Sequence, residues 1–155
     1  AAGAHVIITS SSDEKLDRAK ALGADQFINY KKTPDWASEA RKLTGGRGVD
    51  HVVEVGGAET FPQSIMAIRT GGHIAVIGIL SGLVKDMNVA AMFGQNAKIS
   101  GITVGSRQHF EEMVRAVEQN DIKPVIDKTF PLEDIVPALK LMQGASHFGK
   151  IVLDI

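Results

Sequence analysis

The 155-residue sequence predicts an α/β fold, a doubly wound and mostly parallel sheet with helices on both faces. Three observations predict it. Short β-branched runs alternate from end to end with segments whose apolar residues recur at helical spacing. Glycines or helix-capping residues stand at most of the switches between them. No repeat, linker or low-complexity tract interrupts the alternation, so the sequence reads as one domain. Right-handed crossovers between parallel strands then place the helices on both sheet faces.

The elements follow in order. His5–Thr9 is a β-branched run that suits a buried parallel strand. Ser12-Asp13-Glu14 caps a helix through Leu16, Ala19 and Leu22, which Gly23 stops. Gln26–Asn29 is a second strand. Thr33 is the expected cap of the next helix, with Pro34 at its first position and its end near Gly45-Gly46. Asp50–Val55 is a strand closed by Gly56-Gly57. A helix over about 58–69 leads through Gly71-Gly72 to the strand His73–Ile77. Gly78–Asn88 reads as a long loop and Lys98–Val104 as a strand. Ser106 caps a helix from about Arg107 to Asn120. A strand at Lys123–Phe130, a helix near Leu132–Gln143 and a strand at Lys150–Leu153 finish the chain.

Composition excludes several function classes. Lys plus Arg is 17 and Asp plus Glu is 18, a net charge of −1, so nothing favours nucleic acid or an anionic membrane. No apolar run reaches the ~18–20 residues that span a bilayer, and no stretch reads as a signal peptide. Cys is absent, which removes disulfides and thiolate metal sites and is compatible with a cytoplasmic location. Ala1-Ala2-Gly3-Ala4 reads like the last turn of a helix with its glycine stop, so an upstream segment is expected.

Parallel sheets bind ligands outside the carboxyl ends of their strands. The residues there are Ser10-Ser11-Ser12, Tyr30, Gly56-Gly57, Gly78-Ile79 and Gly105-Ser106. Each glycine alone is an ordinary turn residue, but several on one predicted edge point to a site where a ligand meets the backbone closely. A G-x-G-x-x-G dinucleotide fingerprint between a strand and a helix is absent, and Gly56-Gly57 and Gly71-Gly72 lack its spacing.

The stretch GAHVIITSSSDEKLDRAKALGAD resembles the second strand and following helix of the medium-chain dehydrogenase/reductase superfamily. TGGRGVDHVVEVGG is similar to the family's fourth-strand region, and GGHIAVIGILSG to its fifth strand and loop. GSRQHFEEM, KPVIDKTFPLEDIVPAL and HFGKIVL resemble its distal helix and C-terminal return. The resemblance covers essentially the whole chain, with six motifs in the family's order. It implies a Rossmann-type, six-stranded cofactor domain like those of zinc-type alcohol dehydrogenases and quinone oxidoreductases. Hydride would pass between a nicotinamide and an alcohol, aldehyde, ketone, quinone or enone. It also implies that the first strand, the glycine fingerprint and the catalytic GroES-like domain are not in this sequence. The chain over residues 1–155 is then an incomplete dinucleotide-binding domain, inactive alone.

The resemblance assigns cofactor roles residue by residue. Ser10 stands where an acid would meet the ribose hydroxyls of NAD, and a serine accommodates a 2′-phosphate instead; Ser11 beside it is counted among the cofactor-binding residues. Lys15 and Tyr30 match positions beside that phosphate in NADP-using quinone reductases, so NADP is the expected cofactor and NAD the alternative. Val55, Gly56 and Gly57 match the segment near the adenosine ribose. Ile77, Gly78 and Ile79, with Ile102, Thr103 and Val104, match strand ends that meet the nicotinamide carboxamide. Lys150 matches a basic residue against the pyrophosphate, and Arg107 is a weaker candidate of the same kind. Against these roles stand the plain readings of Lys15 and Arg107 as solvated first-turn residues and Tyr30 as a strand-end aromatic.

The five histidines, His5, His51, His73, His109 and His147, lack metal-ligand spacing, so no metal site and no catalytic residue is assigned to this chain. Trp36 and the methionines read as packing. The expected partners are a nicotinamide dinucleotide and, in the complete enzyme, a small-molecule substrate. A homo-oligomer is left open. A second reading is a stand-alone, non-enzymatic module that assembles with itself or a partner. Both readings share a structural problem: in the order 3-2-1-4-5-6 the absent first strand separates the second from the fourth by roughly 9–10 Å. Buried strand edges left facing that gap would cost ~1–3 kcal/mol per unpaired group.

Overall fold

The computed structural model describes residues 3–83 and 86–155. Among the described residues seven strands and six α-helices alternate. They are β1 (Ile7–Ser10), α1 (Asp13–Ala21), β2 (Gln26–Asn29), α2 (Trp36–Leu43), β3 (Val49–Glu54), α3 (Phe61–Ala67) and β4 (Ile68–Val76). Then come α4 (Val89–Gln95), β5 (Lys98–Gly101), α5 (Arg107–Gln119), β6 (Ile126–Pro131), α6 (Ile135–Gln143) and β7 (Lys150–Asp154). Every strand pairing is parallel, as an α/β fold built from βαβ units requires. The chain divides into two compact units, one ending at Val104 and one spanning Gly105–Ile155.

In the first unit β1 pairs with β2, and β3, β4 and β5 form a second sheet in that order. Among the described residues no ladder joins the two sheets. Helices carry the connection. Ala37 and Ala40 of α2 pack with Ile28 of β2 and Ala67 of α3, with Trp36 and Ile7 alongside. Small residues there let the helices approach closely, and polar bonds fix the contact. Gln63 of α3 accepts from Ala37 N at 3.0 Å and donates to Pro34 O at 2.7 Å. Arg41 donates to Met66 O at 3.1 Å and Ile68 O at 2.8 Å, satisfying carbonyls at the end of α3.

The main core lies between α3 and the β3–β4–β5 sheet, where Phe61, Ile65, Ile68 and Ile74 are buried with Val52, Val76 and Ile99 against them. Burying each of these side chains contributes about 1.5–3 kcal/mol. β4 runs in step with β3 from His51↔His73 to Glu54↔Val76, but Val49 pairs with Ile68. The residues between Ile68 and His73 bulge out of the ladder. Asp50 pins this bulge by accepting from Arg69 Nε at 2.6 Å while Arg47 clasps it through both Nη atoms at 2.9 and 2.5 Å.

In the second unit Ser106 caps α5, accepting from His109 N at 3.2 Å, while the His109 ring accepts from Ser106 N. β6 and β7 pair, and Phe130 and Ala138 are buried there.

Several expectations need correction. The parallel α/β architecture stands as expected, while among the described residues its hydrogen-bonded ladders fall into groups of two, three and two strands. Asp35, not Thr33, caps α2, accepting from Ser38 N at 3.2 Å, so the helix starts at Trp36 beyond Pro34. The helix expected over 58–69 is only Phe61–Ala67, and Gly71-Gly72 lie within β4 rather than before it. The expected loop Gly78–Asn88 includes residues 84 and 85, outside the described set, and ends at an unforeseen helix, α4, capped by Asn88. β5 stops at Gly101, leaving Ile102-Thr103-Val104 as connecting chain. Of the expected helix end at Ala1-Ala2-Gly3-Ala4, the first two residues lie outside the described set.

Candidate functional site

The carboxyl ends of β3, β4 and β5 bring three sequence-predicted segments together. Past the strands, the β3 and β4 chains stay bonded to one another. Glu54 O accepts from Ile77 N at 2.9 Å and Gly78 N at 3.2 Å, and Val55 O accepts from Leu80 N at 3.2 Å. Gly56 O accepts from Ser81 N at 2.6 Å, and Ala58 N donates to Gly82 O at 3.1 Å. Residues 55–57 and 77–79 therefore form one layer. Ile102 joins it by donating to Val76 O at 2.9 Å. Thr103 and Val104 are exposed and continue from there.

Two glycines make this layer geometrically possible. Gly57 has φ +94°, and a Cβ on it would lie 2.5 Å from Gly82 O and 3.0 Å from the Ile79 Cα. A Cβ on Gly78 would lie 2.6 Å from Val55 O. On the open side the layer offers Val55, Ile77, Ile79 and Ile102, which are 46, 49, 52 and 48% exposed. Half-exposed aliphatic side chains at three adjacent strand ends are a surface that a flat ring system would bury.

Beneath the layer lies a residue that the sequence reading missed. Glu54, the last residue of β3, is only 3% exposed. Its Oε1 accepts from Gly56 N at 2.7 Å, Gly57 N at 3.0 Å and Thr60 Oγ1 at 2.5 Å, and its Oε2 accepts from the Ser64 hydroxyl. A buried carboxylate is tolerated only when its lone pairs are filled, and here four neutral donors fill them. The signal was an acid at the end of an apolar strand directly before Gly-Gly.

The ends of β1 and β2 form a second predicted patch. Ser10 is in register with Asn29, and Ser10 O accepts from Tyr30 N at 3.1 Å. Ser10 Oγ accepts from Ser12 N at 3.2 Å, and Ser12 Oγ accepts from Lys15 N at 3.3 Å, so the serine run turns directly into the first turn of α1. Ser11 lies within that turn, Lys15 is half-buried and Tyr30 is exposed. Asp13, the acid nearest Ser10, is bound to Lys32 and to Asn29 Nδ2 at 2.7 Å. The Lys32 ammonium, more than Asn29, holds the Asp13 carboxyl below the usual carboxylate range.

Lys150 belongs to the Gly105–Ile155 unit, where it is exposed at the first residue of β7 and its amide donates to Val125 O at 2.8 Å. Arg107, the weaker candidate, makes an ion pair with Glu111 at 2.8 Å, as a solvated helix residue would. The His147 ring lies in the same unit, with its Nδ1 buried and unbonded. An apolar cleft of about 160 Å³, lined by Phe61, Ile65, Met66, Met87 and Ala91 among others, contains none of the predicted cofactor residues.

Comparison with known proteins shows the family. A family model described as zinc-binding dehydrogenase matches residues 1–119. A zinc-type alcohol dehydrogenase-like protein of Schizosaccharomyces pombe is 49% identical, over all of this chain and 46% of its own length. A 2-haloacrylate reductase of Burkholderia is 34% identical over 97% of this chain and 48% of its own. The chain thus spans about half the length of these curated relatives. Among solved structures, an NAD-dependent alcohol dehydrogenase superposes with a TM-score of 0.90 at 42% identity, over 99% of this chain and 44% of that one. A mycobacterial protein complexed with NADPH superposes with 0.81 at 27% identity, over 97% of this chain and 50% of that one. The chain belongs to the zinc-binding dehydrogenase family, within the medium-chain dehydrogenase/reductase superfamily that its motifs resemble.

Proposed function

We propose that this chain is the cofactor-holding part of an NAD(P)H-dependent oxidoreductase and is inactive alone. Its reaction moves a hydride between the nicotinamide and an alcohol, aldehyde, ketone, quinone or enone. The observation that carries this reading is the layer at the carboxyl ends of β3, β4 and β5. Its half-exposed Val55, Ile77, Ile79 and Ile102 would cover the nucleoside rings, and the glycine backbones would let them approach. The dinucleotide supplies the hydride. The chain's own residues bind it, orient it and keep water from one of its faces. Thr103 and Val104 extend the nicotinamide side.

The β1–β2 patch supports NADP over NAD. Ser10 leaves its hydroxyl hydrogen available while its oxygen accepts from Ser12 N, so it can donate to a phosphate oxygen. Asp13, the acid nearest to Ser10 in sequence, is already held by Lys32 and Asn29. Lys15 and Tyr30 complete the patch.

The metal in the family's name finds no ligand set here. Cys is absent, and among the described residues no group of three or more His, Cys, Asp or Glu could hold a metal ion. No step is assigned to a metal on these residues. Among the same residues, no helix is long and apolar enough to cross a membrane.

The test is NADPH oxidation by the isolated chain and by the protein at the full length of its relatives, with an aldehyde, a quinone and an enone as substrates. Turnover by the long form alone supports the reading. Turnover by the isolated chain, or by neither form, refutes it.

A further inference from the structure

We propose that Glu54 is a positioning residue that locks the loops after β3 and β4 into a single cofactor cradle; the inference rests on the cofactor reading above. The geometry is a stack of three levels. At the bottom, the Glu54 carboxylate gathers the Gly56 and Gly57 amides and the Thr60 and Ser64 hydroxyls. In the middle, this fixes Gly56 O facing the second loop, where it accepts from both Ser81 N at 2.6 Å and Ser81 Oγ at 2.8 Å. At the top, the Ser81 hydroxyl oxygen accepts from Glu59 N at 3.0 Å, closing a ring of bonds around both loops.

Two consequences follow. The amides of Gly56 and Gly57 are consumed by Glu54, so this turn cannot serve as an anion nest and is suited to the sugar and ring surfaces of a nucleotide rather than to its phosphates. The position of Val55 is also tied to that of Ile77 and Ile79, so the adenosine side and the nicotinamide side of the cradle move together. Glu54 touches no ligand itself.

Three single variants and one double variant test this in the protein at its full native length, read by NADPH fluorescence titration and by thermal unfolding. In Glu54→Gln, the amide oxygen can still accept from both glycines and Thr60, while its NH2 donates to Ser64 Oγ. Cofactor affinity is expected within threefold of wild type. In Glu54→Ala, the donors lose their acceptor, and Kd is expected to rise at least tenfold. Ser81→Ala cuts the ring from the other loop with little risk to folding and is expected to raise Kd about fivefold, or about 1 kcal/mol. In the Glu54→Ala background, Ser81→Ala should add less than twofold, since the ring is already open. A role confined to stability would lower the unfolding midpoint and leave Kd unchanged. Wild-type Kd in Ser81→Ala, or in folded Glu54→Ala, overturns the positioning role. A wild-type protein that does not bind NADPH or NADH overturns the cofactor reading beneath it.

Discussion

Asp13 in the first turn of α1 and Lys32 just beyond β2 form an ion pair, and Asn29 donates to the same carboxylate at 2.7 Å. The pair binds the helix to the end of the neighbouring strand beside Ser10 and Tyr30. On the proposed cofactor reading, Ser10 and Lys15 beside this engaged acid set which dinucleotide is preferred.

Lys15→Ala is therefore expected to lower kcat/KM for NADPH by roughly ten- to a hundredfold and to change the NADH value little, the scale of one charge-assisted hydrogen bond. Ser10→Asp should invert the preference towards NADH, because the new carboxylate repels a 2′-phosphate and accepts from ribose hydroxyls. Kinetics with both cofactors check this. Equal use by wild type, or a Lys15→Ala variant with its preference intact, would show that the patch does not read the phosphate.

Asp50 provides a test by acid. The Arg47 guanidinium and then that of Arg69 hold its carboxyl well below the usual range. A depressed folded value means that the pair contributes stability above the unfolded value, ~3.9, and loses it as pH falls through the folded one. Asp50→Asn is thus expected to unfold at a lower temperature than wild type at pH 5–8, with the two midpoints converging below about pH 4. A gap independent of pH would show that charge at Asp50 does not hold the β4 bulge.

Much of this was readable from the chain. Ser12 and Ser106 cap the helices that their positions announced, and Gln26–Asn29 is a strand with the bounds that its residues suggested. α4 escaped notice because Val89–Gln95 is short, apolar on every side and capped by an Asn at the end of a glycine-containing loop. The early start of β4 escaped because Arg69–Gly72 looks like a turn, and the Val49–Ile68 pairing with the Arg47–Asp50–Arg69 cluster holds it beside β3. Candidate residues at strand ends followed from the rule for parallel sheets. Glu54 did not, since an acid at a strand end looks solvent-facing until its four donors are seen.

Two glycines on the same loops separate collision from backbone strain. Gly57 and Gly82 both have positive φ, +94° and +106°, but only Gly57 faces backbone atoms, whereas the space around Gly82 is open. Gly57→Ala is expected to cost about 1–3 kcal/mol and to weaken cofactor binding. Gly82→Ala should cost less and leave binding near wild type. Thermal unfolding and cofactor titration compare them; equal effects would show that the close approach of the loops is unimportant.

The core makes a plain stability prediction. Ile74 is fully buried between α3 and the sheet, so Ile74→Ala is expected to cost about 2–5 kcal/mol. Chemical denaturation checks this, and a loss under 1 kcal/mol would place the core elsewhere.

On the proposed function, the strand ends of this chain are a dinucleotide cradle. Hydrogen–deuterium exchange on the full-length protein, with and without saturating NADPH, tests it most directly. Slower exchange is predicted in peptides covering residues 10–15, 55–57, 77–79 and 102–104, with α4 unchanged as the internal control. NADPH binding that leaves those four segments unprotected, or protects only peptides outside this chain, would contradict it.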